Sequence, residues 1–135
     1  MDVMQTTITR RRIATVILAP VAALAAWAVV RLIGVDLVVS SGDGTVGPVD
    51  VVIAALFGAL AGWLVARLLE RRSSRPRLWW ARLGSTALAV SIIGPTWLAD
   101  GASGASLIGL HFVTAIVVIS GFFGTLPTWR GGTAR

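Results

Sequence analysis

Four long apolar stretches, separated by short polar gaps, constrain this chain more than any other feature. A hydrocarbon core about 30 Å thick takes roughly 20 apolar residues in a helix. Stretches at about 13–33, 49–69, 83–98 and 105–126 meet or approach that length. The third is short, but Leu78, Trp79 and Trp80 extend it. Arg82 would then lay its stem along apolar surroundings and lift its charge to the headgroups. Backbone amides in hydrocarbon find no water, so each stretch is expected to be a helix with its hydrogen bonds satisfied internally. Only 13% of the residues are charged, against 56% hydrophobic and a mean hydropathy of +0.83. A soluble domain uses about a quarter charged residues to cover itself, and this chain lacks them. The expected fold is all-α, a left-handed four-transmembrane-helix bundle forming one integral membrane domain over residues 1–135.

Orientation follows from the arginines, because Lys and Arg accumulate on the cytoplasmic side. Arg10, Arg11 and Arg12 precede the first stretch. Arg67, Arg71, Arg72, Arg75, Arg77 and Arg82 surround the 70–82 link, and Arg130 and Arg135 follow the fourth stretch. These eleven of the twelve arginines fall on one side of a four-span chain. Asp36, Asp43, Asp50 and Asp100 fall in or beside the two loops of the other side. The reading is a multi-pass protein of a bacterial plasma membrane with cytoplasmic termini and a cytoplasmic 70–82 loop, whose polar 70–77 link would be a hinge between two helical hairpins. Arginine without lysine, alongside abundant Ala, Val and Gly, suggests a GC-rich bacterial genome. Topology and anionic lipid account for the net charge of +6, so nucleic acid is not expected as a partner. The start resembles a twin-arginine export signal only superficially. Its apolar run continues through Val30 without a polar cleavage region, so the first stretch is read as an uncleaved span.

The tryptophans fit interfacial belts, with Trp79, Trp80 and Trp129 at one edge, Trp97 at the other, and Trp27 and Trp63 deeper. In the first outer loop, Leu37, Val38 and Val39 lead into a Ser-Gly-Asp-Gly turn signal, which reads as a small β-hairpin or an irregular loop. Pro48 suits the entry to the second helix, and Asp50 in its first turn faces a favourable dipole.

Polar residues inside a membrane are expensive and therefore informative. Arg31, Asp50, Ser91, Asp100 and His111 form the candidate outer pocket. His111 lies five residues into the fourth stretch, about 8 Å below its edge. Pro95 cannot donate to the Ser91 carbonyl, and Gly94 loosens the same turn. The alternative is structural: Arg31 locked to an aspartate and His111 bonded across the bundle. Gly58 and Gly62 make a GxxxG motif, which lets backbones approach closely within the bundle or at a dimer seam. A triad of His111, Asp100 and Ser103 or Ser106 can be drawn, but nothing in the spacing supports it. One histidine and no cysteine do not make a zinc site. No catalytic residue, metal or cofactor is therefore assigned, and an enzyme is not the preferred reading.

Further motifs run from RLIGVDLVV beginning at Arg31, through TVGPV beginning at Thr45 and SIIGP beginning at Ser91, to LHFV beginning at Leu110. In these the chain resembles a family of four-span membrane proteins from actinobacteria, catalogued as a domain of unknown function, over about residues 10 to 126. The resemblance implies a four-helix membrane fold and supplies no activity. It directs attention to Asp36, Gly47, Pro48, Gly94, Pro95 and His111. Small multidrug transporters are a poorer match, because their first-span glutamate has no counterpart, and the helix signatures of fluoride channels are missing as well. The functional expectation is an accessory, interaction or ligand-binding membrane protein. Its partners would be the bilayer and another membrane protein or a second copy. The alternative is a small oligomeric transporter or channel using the outer polar residues.

Overall fold

The computed structural model describes residues 3–38, 44–98 and 101–128. These form four helices: α1 (Val3–Leu32), α2 (Pro48–Arg72), α3 (Pro76–Leu98) and α4 (Gly101–Phe123). Three of them, α1, α2 and α4, are long and apolar enough to cross a membrane. In α3, Arg82, Gly84, Ser85 and Thr86 dilute the apolar content.

Each helix has chemical reasons for its limits. α1 ends in a Schellman motif: Gly34 has φ of 83°, Gly34 N–H donates to Arg31 O at 3.1 Å, and Val35 N–H donates to Val30 O at 3.2 Å. α2 opens with Pro48 at its first position, where a missing N–H costs nothing. Asp50 Oδ2 reaches back to accept from Gly47 N–H at 2.9 Å. α2 closes when Ser73 N–H donates to Leu69 O at 2.9 Å. Ser73 Oγ then accepts from Arg75 N–H at 3.1 Å, and α3 begins at once with Pro76.

These ends revise the sequence expectation in three places. The 70–82 region is not a hinge-like loop, because only 73–75 separates α2 from α3. Pro76 at the first helical position starts α3 early, and arginine is a good helix former. α1 extends to Val3, well before the apolar run begins. α4 spans Gly101–Phe123 in place of 105–126. The β-hairpin is also not formed among the described residues. There is one isolated antiparallel bridge, Val38 to Thr45, with Val46 N–H donating to Leu37 O at 2.8 Å, and no strand. The rest of that turn, 39–43, lies outside the described residues.

Packing is uneven. α1 packs on α2 and on α4, α3 packs mainly on α4, and α1 and α3 do not meet. Ala23, Val51, Ala55 and Leu110 form one buried cluster at the end carrying the 33–47 loop. One turn away on the same helices, Ala19 and Ala59 are fully buried. Small side chains at four-residue spacing let α1 and α2 approach closely. A second cluster, Ala66, Trp80, Phe122 and Leu126, fills the arginine-rich end. There Trp80 meets Phe122 edge-on, at 5.6 Å between ring centroids. At Gly121 a Cβ would collide with the Thr15 side chain, so α4 touches α1 there at backbone distance. Large apolar side chains cover the outside, among them Phe57 and Leu64, each about 70% exposed. A soluble surface would not carry them so densely.

Candidate functional site

Because α2 and α3 pack only lightly on each other, a groove of about 680 Å³ opens between them, floored by α4. Small residues make it deep. Ala54, Gly58 and Ala61 line it from α2, and Gly84 and Ala87 from α3. The two glycines of the GxxxG motif therefore do different things. A Cβ at Gly58 would meet nothing within 4 Å, so Gly58 opens the groove and does not seal a helix seam within the chain. A Cβ at Gly62 would stand 3.0 Å from Val118 and 3.4 Å from Phe122 and Trp80, so Gly62 packs inside the bundle.

Three of the five predicted pocket residues converge on this groove: Asp50, Ser91 and His111, from three different helices, with Thr114 beside them. Asp50 lies at the 33–47 loop end, and Ser91, His111 and Thr114 lie deeper, near the middle of the groove. Toward the arginine-rich end the lining becomes apolar, with Val65, Trp80, Val118 and Ile119. Trp80 is fixed there because its Nε1–H donates to Ile119 O at 3.0 Å.

Arg31 does not join them. It forms an ion pair with Asp36, which the Gly34 turn brings back beside it. This corresponds to the structural alternative for Arg31, within one turn of chain and not between helices. Asp100 lies outside the described residues, as does Trp129. Gly94 and Pro95 lie inside α3, which continues to Leu98. The drawn triad finds no geometry. Ser103 Oγ donates to Asp36 O at 2.7 Å and so anchors the loop to α4, eight helical residues or about 12 Å from His111.

Sequence reasoning missed a second constellation at the arginine-rich end. Arg12 is 5% exposed and donates from both terminal nitrogens to the Glu70 carboxylate, with Nη1 to Oε2 at 3.0 Å. Its Nε–H donates to Thr125 Oγ1 at 3.2 Å, and Nη2 donates to Thr125 O at 3.4 Å. Thr125 Oγ1 in turn donates to Phe122 O at 2.8 Å. One guanidinium thus ties α1, the end of α2 and the turn after α4. A bidentate arginine–carboxylate fork is the strong form of such a bond. Nearby, Arg77 Nε–H donates to Phe123 O at 3.2 Å and its cation lies 4.8 Å over the Phe123 ring, so α3 caps the last turn of α4. A signal was present: Glu70 is the only glutamate, surrounded by arginines. Among the described residues no group of three or more His, Asp or Glu is placed to hold a metal ion.

A family model described as a family of unknown function, DUF6069, matches residues 4–128, and the chain belongs to that family. No curated protein and no solved structure matches it.

Proposed function

Starting from membership in a family without a known activity, we propose that the protein is a membrane-embedded binding protein. Its α2–α3 groove takes an apolar molecule from the bilayer. All four helices span a bacterial cell membrane in this reading, with α3 completed by Trp79, Trp80 and the Arg82 stem. Eleven arginines on one side support a cytoplasmic position for both termini and the 73–75 link. The 33–47 loop then faces outward. The observation that carries the proposal is the groove itself: a cleft of about 680 Å³ that is apolar at its arginine-rich end and carries its polar groups from the middle outward.

Polarity along the groove also separates this reading from transport. A transport path needs polar groups through both halves of the bilayer. Here the inner half is apolar, and beyond it Trp80, Phe122 and the Arg12–Glu70–Thr125 clasp fill the space. A cleft with one polar end and a closed floor suits retention of a ligand, or its presentation to a partner.

Native mass spectrometry on protein extracted gently from its own membrane tests this. The expected result is a co-purifying apolar molecule, lost from the Gly58→Trp variant, whose indole would fill the groove. A bare chain carrying only bulk lipid, unchanged by Gly58→Trp, would overturn the binding reading and leave a structural role.

A further inference from the structure

The polar groups of the groove share a property that specifies its occupant. Three of them commit their own proton to their own helix, and the fourth, Asp50, only accepts. Ser91 Oγ donates to Leu88 O at 2.8 Å, and Thr114 Oγ1 donates to Leu110 O at 2.9 Å. His111 Nδ1 lies 2.9 Å from Leu107 O. A carbonyl only accepts, so the proton is on Nδ1, and in the neutral ring Nε2 keeps its lone pair. Asp50 accepts from Gly47 N–H and, when ionised, has only acceptor oxygens. Four groups on three helices therefore present acceptors to the groove, from Asp50 at its outer end to Thr114 at its middle. No arginine is among the lining residues.

Resting on the groove reading above, we infer that the occupant is an amphiphile with one apolar tail and a hydrogen-bond-donating head, an alkylammonium or alcohol, and that anionic heads are disfavoured. A donor head meets only acceptors among these polar side chains. A carboxylate or phosphate head brings further acceptors beside the Asp50 charge, in surroundings where unpaired polar groups are costly. The ammonium is the better of the two donors, because it also meets the Asp50 charge. The tail runs inward along Gly58, Ala61, Gly84 and Ala87 to the floor at Trp80. From Ser91 to Trp80 is eleven residues of α3, a rise of about 16 Å. A single extended chain fits that length and the narrow, small-residue lining.

The test is competition among hexadecylamine, hexadecanol and hexadecanoate for the protein in nanodiscs, read by native mass spectrometry. The expected result is retention of the amine and the alcohol at least roughly tenfold over the carboxylate, the scale of one charged hydrogen bond. Asp50→Asn keeps an oxygen for the Gly47 amide and removes the charge. It is expected to lower amine retention about tenfold and to leave the alcohol nearly unchanged. Equal retention of all three probes, abolished by Gly58→Trp, would keep the groove and overturn the head assignment. Retention indifferent to Gly58→Trp would overturn the groove reading itself. A dimer that binds no probe and dissociates in Gly58→Trp would make a second copy the occupant, which also overturns the inference. If Gly58→Trp fails to fold, Ala61→Leu narrows the same groove, and the head series on the unaltered protein stands without either variant.

Discussion

Replacing Glu70 by glutamine removes the negative charge opposite Arg12 while keeping an oxygen that can accept one of its hydrogen bonds. The Arg12 side chain is 7% exposed and that of Glu70 27% exposed, so the charge lost is mostly withdrawn from water. Breaking a buried ion pair from one side costs about 3–5 kcal/mol, because the remaining charge is stranded. Two features reduce that figure here. Glu70 keeps some contact with solvent, and Arg12 keeps its bonds to Thr125 Oγ1 and O. The expected loss is therefore about 2–3 kcal/mol, roughly 30-fold to 160-fold in the unfolding equilibrium. Tryptophan fluorescence during SDS titration in mixed micelles measures it, because Trp80 and Trp63 lie in the adjoining core cluster. A cycle with Arg12→Met separates the pair from its surroundings, with an expected coupling of about 1 kcal/mol or more. An unchanged Glu70→Gln midpoint, or additive single variants, would refute the clasp as a source of stability.

Two further outcomes follow from the geometry. Gly121→Ala sets a methyl against the Thr15 side chain, and overpacking of this kind is expected to destabilise by about 1–3 kcal/mol in the same titration. Thr15→Ala, which removes the two colliding atoms, should restore most of the loss, and additivity of the two changes would contradict the close seam. The sequence has no cysteine, so single cysteines report topology cleanly. Ser74→Cys is expected to react with an impermeant maleimide only after the membrane is opened, and Gly44→Cys in intact cells. The opposite pattern would reverse the proposed orientation.

Much of the helix content was legible in the sequence because lipid solvation leaves the backbone little choice. Hydropathy located the apolar centres of all four helices but not their polar ends. Residues 3–12 and 76–82 carry helices beyond the continuous apolar runs, and α3 starts where Pro76 fits its first position. Asp50, Ser91 and His111 line one groove. Depth along a helix, counted in steps of 1.5 Å, makes only Asp50 and His111 legible as neighbours, and Ser91 enters only through the carbonyl opposite Pro95. Arg31 was misplaced for a local reason. Its partner Asp36 is five residues away, across a left-handed glycine that folds the chain back. The Arg12 clasp depends on which helix faces meet, and neither hydropathy nor spacing encodes that. The groove was invisible for the same reason. Gly58 and Gly62 look alike in sequence, and only the positions of Val118 and Phe122 on α4 and Trp80 on α3 decide which one is covered.

The contact between α1 and α4 has a consequence for how the chain is made. α1 packs as extensively on the last helix as on the second, and Arg12 takes its threonine partner from residue 125. During synthesis α1 leaves the ribosome first, and its Ala19 and Ala23 face can close on α2 early. The Thr15–Gly121 seam and the Thr125 half of the clasp must wait until nearly the whole chain is in the bilayer. Until then a buried guanidinium has only Glu70 for company, and α3 lacks the helix that chiefly holds it. Closure is therefore a late, long-range event, of the kind that sets slow assembly in chains whose ends must meet. A nascent chain stopped before α4 would present an open three-helix intermediate to the membrane's quality-control proteases.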